Sequence, residues 1–197
     1  MSAQARLTQE QRTARTRQIV ARAAFEVIQK QGYASLRTSA VAAAAGISEG
    51  GLMHHFPNKT ALSIAAVKYG LELSEMQTQQ NLARYSASKD PILAIAEDSK
   101  DFYFSGCFEV ALDVLKSSKD NAELQHTIAS DSKAFRDFIE NAWVEKLVEH
   151  GTPRDRAEEI VTYTTCLVRG FAIRGLIQTI DKNWPKLIKR WAEIFNG

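Results

Sequence analysis

The sequence predicts an all-α fold of about nine helices, and three observations carry that expectation. Glycine and proline are scarce, ten and four among 197 residues, while Ala, Leu, Glu and Lys recur throughout, and these four are strong helix formers. Apolar residues return at three- and four-residue intervals in one segment after another, the period of a helix packed on one face. No segment of any length alternates apolar and polar residues as a half-buried strand does. With 45% apolar and 24% charged residues the composition is that of a soluble globular protein.

The elements follow in order. Val20, Ala23, Ala24, Val27 and Ile28 fall at helical spacing between about Thr16 and Gln31, and Gly32 stops that helix where a left-handed residue costs least. Thr38 or Ser39 caps a short helix through Ala45, Gly46 breaks it, and Ser48 caps the next, which ends at Phe56-Pro57. Asn58 caps a long helix from about Lys59 into the eighties. Pro91, after the polar break Ser86 to Asp90, opens a helix to about Ser105, and Gly106 separates it from Cys107–Lys116. Beyond the break Ser117 to Asn121 come Ala122–Glu149, stopped by Gly151 and Pro153, then Arg154–Ile180 and a last helix Trp184–Phe195.

Charge divides the chain unevenly. Residues 1–60 hold eight Lys and Arg against three acids, whereas the remainder has three more acids than bases. A basic end on a slightly acidic body points to an anionic polymer as partner. The N-terminal stretch lacks the apolar core of a signal peptide, and Arg169 and Arg174 interrupt the longest apolar region, so no membrane partner is expected and the expected location is the cytoplasm, at the nucleoid. Cys107 and Cys166 stand apart in apolar sequence and read as reduced thiols.

A short helix, a glycine turn and a second short helix over about residues 37–56 form a helix-turn-helix. Ala42 is small where the second helix crosses it, Gly46 supplies the turn, and Val41, Ala45, Ile47 and Leu52 bury the seam. The second helix then offers its N-terminal residues to a major groove. The wider stretch GYASLRTSAVAAAAGISEGGLMHHFPNKTAL, Gly32 to Leu62, resembles the signature of the tetracycline-repressor (TetR) family. Its marks are Gly32-Tyr33 after the first helix, the turn Ala45-Gly46-Ile47-Ser48, and Phe56, Lys59 and Leu62. In motif the resemblance covers about residues 16–64; beyond them it rests on helix order and length. Met53 stands where the family usually has tyrosine, Gly50-Gly51 where Thr or Ala is frequent, and Arg37 where threonine is common.

The resemblance implies a DNA-binding domain at 14–74 and an effector-binding and dimerisation domain at 75–197. Its partners would be double-stranded operator DNA, a second copy of the chain and a small molecule, with no cofactor and no metal. Arg17, Arg37, Thr38, Ser39 and Lys59 are the candidates for phosphate, Thr38 and Ser39 also serving as helix caps. Ser48, Glu49, Gly50, Gly51, Met53, His54 and His55 make up the recognition helix and its cap. The two glycines let backbone approach the bases but supply no side-chain code. His54 and His55 point about 100° apart on a helix and serve one metal ion poorly.

In the body, Phe102, Tyr103, Cys107, Phe108 and Trp143 form an aromatic and polar group which, with Tyr163 and Arg169, is the candidate effector site. Arg169 and Arg174 inside an apolar helix need partners, either neighbouring acids or an anionic group on a largely apolar effector. The helix Arg154–Ile180 is apolar nearly all round and so expected to be buried on every face. In the resembling family the last two helices build the dimer seam, here through Cys166, Gly170, Ile173, Ile177, Leu187 and Trp191, with Ile188 and Ile194 also facing inward. The sequence lacks G-x-G-x-x-G, H-E-x-x-H and a di-iron E-x-x-H pair, which disfavours an enzyme. The expected function is a repressor that binds a palindromic operator as a homodimer and is released by its effector. The alternative is a constitutive regulator or an activator without one.

Overall fold

A computed structural model describes residues 8–86, 89–176 and 183–196. These form nine α-helices and no strand: α1 Gln9–Gln31, α2 Thr38–Ala45, α3 Glu49–His55, α4 Lys59–Arg84, α5 Pro91–Tyr103, α6 Gly106–Ser117, α7 Ala122–Glu149, α8 Arg154–Gly175 and α9 Trp184–Asn196.

Side-chain caps set most of the starts. Thr8 and Gln11 form a reciprocal capping box, so α1 begins well before the Thr16 at which apolar periodicity becomes visible; residues 9–12 are exposed and carry no such signal. Ser48 Oγ accepts the Gly51 amide at 3.1 Å, Asn58 Oδ1 that of Ala61 at 2.8 Å, Asp90 those of Ile92 and Leu93, and Asn121 that of Leu124. The expected cap of α2 is corrected. Arg37 occupies its N-cap without a side-chain bond, and Thr38 and Ser39 lie inside the first turn. Helix α5 stops two residues short of Ser105, whose hydroxyl instead accepts the Cys107 amide at the start of α6. Helix α8 spans Arg154–Gly175 with Leu176 as its C-cap, and the rest of the expected stretch to Ile180 lies outside the described residues.

The chain forms two compact units. The first joins the residues up to Gly70 with Val110–Ala129. Val20, Leu36, Val41, Leu52 and Leu62 are buried there, as are Val110, Val114, Leu124 and Ile128 from α6 and α7. Two hydrogen bonds fasten this later segment: the Tyr33 amide donates to Asp113 Oδ2 at 2.6 Å, and Asn121 Nδ2 to Thr60 Oγ1 at 2.9 Å. Gly32, at φ +80°, makes the turn that presents the Tyr33 amide, a conformation that would cost another residue about 1 kcal/mol or more.

The second unit comprises Leu71–Glu109 and the residues from Ser130 onward. Helix α5 packs chiefly along α8. One core cluster gathers Ile92, Ile95, Trp143, Leu147, Ile160 and Ala192, and another Tyr103, Val168, Ala172 and Ile188. Helix α8 is not covered all round: Tyr163, Cys166, Gly170 and Ile173 lie open along one side. Ile194, expected to face inward, is 63% exposed, because the buried stripe of α9 runs through Ile188 and Ala192, and Ile194 lies about 200° around the helix from Ala192.

Candidate functional site

The first unit displays α3. Leu52 and Phe56 are buried and fix the helix from below, leaving Glu49, Gly50, Gly51, Met53 and His54 exposed on its outer side, with Met53 51% exposed. A Cβ on Gly50 would meet nothing within 4 Å, whereas one on Gly51 would stand 3.2 Å from Ser48 Oγ. Glycine at position 51 therefore leaves the capping hydroxyl its place. His55 is half-buried and its carbonyl accepts from Arg17 Nη1 at 2.9 Å. The Arg17 guanidinium also lies 4.6 Å from the Phe56 ring centroid. Arg17 thus ties α1 to the end of α3.

The cations expected at phosphate divide by environment. Lys59 Nζ donates to the Tyr33 carbonyl at 3.2 Å and sits 4.1 Å from the Tyr33 ring centroid. Partial burial pulls its pKa down, and the neighbouring Arg37 charge adds to the effect. Two like charges brought together in this way favour an anion between them. Ser39 is exposed, while Thr38 Oγ1 is 3.4 Å from Glu49 Oε2 and donates to it. The rings of His54 and His55 meet edge to face at 5.3 Å.

In the second unit the expected ligand residues fall into separate places. Phe102, Tyr103 and Phe108 form one aromatic group, with centroids 5.0 to 5.9 Å apart. Phe102 and Cys107 line a cavity of about 310 Å³. Trp143 lines a different cavity of about 470 Å³ beside Tyr85. Arg169 donates to Cys166 Sγ at 3.2 Å, and its charge acts on the Tyr103 hydroxyl. Burial pushes the Tyr103 hydroxyl pKa up, against the opposing pull of Arg169 and Arg136. Tyr163 stands away from these cavities, 53% exposed on α8 with its ring against Phe195.

Sequence reasoning missed the centre of this unit. Asp98, only 4% exposed, accepts from Thr78 Oγ1, Asn81 Nδ2 at 2.7 Å and Trp143 Nε1 at 2.7 Å. Burial drives its carboxyl pKa upward more than these donors lower it. A signal existed: Asp98 lies three residues after Ile95 and four before Phe102, on the apolar stripe of α5.

Of the expected dimer residues, Cys166, Gly170, Ile173 and Leu187 are exposed, with Ile173 at 47%. Trp191 is half-buried within the chain, where its indole N–H is 3.4 Å from Thr164 Oγ1. Ile177 lies outside the described residues.

An exposed recognition helix, seated on a glycine turn and flanked by cations, marks the chain as a helix-turn-helix DNA-binding regulator. Residues 20–66 match the family model for bacterial regulatory proteins of the tetR family. The chain is 30% identical to the HTH-type transcriptional regulator CymR of Pseudomonas putida over 96% of its own length and 93% of that protein. It belongs to the TetR family. Its fold is also that of a Rhodococcus sp. protein assigned to this family (TM-score 0.65, 21% identity, covering 92% of this chain and 99% of that one). A Saccharomonospora viridis regulator crystallised with choline is similarly close in fold (TM-score 0.65, 18% identity, 93% and 94% covered). These relatives are regulators rather than enzymes, and among the described residues no helix is long and apolar enough to cross a membrane.

Proposed function

We propose that the chain is a repressor that binds a palindromic operator as a homodimer and lets go when a small molecule occupies its second unit. DNA contact is assigned to residues 14–74, effector binding and dimerisation to 75–197. The observation that carries this reading is the open apolar strip of α8, Tyr163, Cys166, Gly170 and Ile173, with Leu187 and Ile194 exposed on α9. A stripe of exposed apolar residues at helical spacing suits a partner, and an isologous contact between two copies presents two recognition helices to one duplex.

The cavities at Phe102 and Cys107 support the response to a ligand, as does the choline held by the Saccharomonospora viridis protein of the same fold. An effector releases DNA only by binding the DNA-incompetent arrangement better; a hundredfold loss of operator affinity needs about 2.7 kcal/mol of that difference. The test is operator binding and melting temperature measured together across a metabolite panel. A compound that moves both, and that no longer does so in Cys107→Trp with its cavity filled, supports the reading. If no compound moves both, the protein is a constitutive binder.

A further inference from the structure

Two cavities of the second unit share a wall. The wider, about 310 Å³, lies among Leu73, Gln77, Thr78, Asp98, Asp101 and Phe102. The narrower, about 30 Å³, lies beside Phe102, Phe135 and Ile139 and also touches Thr78 and Asp98. Thr78, Asp98 and Phe102 therefore belong to both. The narrow space suits a water or two, while the wide one is within the range of small-molecule sites. Phe102 is half-buried and stands between them, its ring 4.8 Å from that of Phe135. Turning Phe102 aside joins the two into one site.

The two ends differ in chemistry. At the narrow end Phe102, Tyr103, Phe135 and Ile139 supply an apolar wall beside the shared Thr78 and Asp98, with Arg136 and Glu140, four residues apart on α7, also at its border. The wide end holds two carboxylates and, among the described residues of its wall, no lysine or arginine. Every donor found on Asp98 is neutral: the Thr78 hydroxyl, the Asn81 amide and the Trp143 indole. Asn81 Nδ2 also reaches Asp101 Oδ2 at 3.3 Å, and Gln77 holds the Asn81 carbonyl at 3.1 Å. The network orients both carboxylates through neutral donors; Asp101 is exposed and also borders the neighbouring cavity with Arg84 and Lys89, whereas the donors on buried Asp98 bring no counter-charge. A buried carboxylate in that state is electrostatically costly, and an incoming cation relieves the cost.

We propose that Phe102 is a movable partition and that the joined site takes a small amphiphile, its protonated amine at Asp98 and Asp101 and its apolar body against Phe135 and Ile139. The proposal rests on the ligand-responsive reading and gives it a ligand class, opposite in charge to the anionic effector that Arg169 and Arg174 suggest from sequence. Arg169 instead donates to Cys166 Sγ.

The test uses the full chain and a matched pair of probes, phenethylamine and phenylacetate, by calorimetry and melting temperature. Phenethylamine should bind and raise the melting temperature while phenylacetate does neither. Asp101→Asn should weaken phenethylamine binding about tenfold, with the ligand-free melting temperature showing that the fold is kept. Phe102→Ala should tighten it several-fold, because the partition no longer has to move. Binding of phenylacetate as tight as that of phenethylamine, no binding of either, or indifference to Asp101→Asn overturns the proposal. Operator affinity separates the two readings. Phenethylamine that binds without releasing DNA upholds this site and sinks effector control; release by another compound while phenethylamine fails to bind does the reverse.

Discussion

The Tyr33 amide donates to the Asp113 carboxylate over 2.6 Å, while the Tyr33 carbonyl accepts from Lys59. One peptide segment in the turn after α1 thereby joins α6 to the first residue of α4. Removing the carboxylate in Asp113→Ala should lower stability by about 1–3 kcal/mol and weaken operator binding as well, since it loosens the acceptor that holds Lys59. Asp113→Asn, which keeps an acceptor oxygen, should recover part of both. Urea unfolding and operator titration check this; an Asp113→Ala protein with unchanged operator affinity would detach α6 from the DNA surface.

Lys59 and Arg37 share a local positive field. Affinity for DNA should therefore fall steeply with salt, with a log–log slope near −0.9 for each phosphate contact. Lys59→Ala should make that slope shallower by about one contact and weaken binding to all sequences alike. A change confined to sequence preference would assign Lys59 to bases instead.

Charge placed on the open strip should separate the protomers. Ile173→Glu and Ile194→Glu, both at exposed positions, should sediment as folded monomers and bind DNA poorly. Operator half-sites should stand about 34 Å apart, or a multiple of that. Trp191→Glu should instead lower stability, because Trp191 packs against the core of its own chain. Wild-type protein that is monomeric at micromolar concentration would refute the assembly.

Asp98 makes stability depend on pH in a direction unusual for a carboxylate. Its pKa is raised in the folded protein, chiefly by burial and with a contribution from Asp101, so the folded state holds the proton more tightly than the unfolded chain. The contribution is full below the ordinary carboxylate value and is lost as pH rises through the raised one. Melting temperature should thus decline over that interval, and Asp98→Asn should flatten the decline. An unaltered pH profile in Asp98→Asn would show that another group titrates there.

The helices were legible because amphipathic stripes, caps such as Ser48 and Asn58, and the helix-starting Pro91 are local signals. The recognition helix was legible for the same reason, since Gly46, Ser48 and Leu52 act within a few residues of one another. What escaped depends on distant partners. Asp113 looks like a solvated acid until Tyr33, eighty positions away, is placed beside it. Asp98 acquires its character from Trp143 on another helix. Periodicity alone also overstated the burial of α8, because an apolar stripe that this chain leaves open reads like one facing its core.

The open space around Gly50 has a practical consequence. A Cβ there meets no atom within 4 Å beyond its own helix turn, and replacing glycine within a helix returns up to about 1 kcal/mol of helix propensity. Asn, Gln or Arg at position 50 should therefore fold without repacking and add a bidentate hydrogen-bonding group toward adenine or guanine. The same scaffold could then be retargeted to chosen operators, with Gly50 as the first position to randomise and Gly51, hemmed by the Ser48 cap, left fixed.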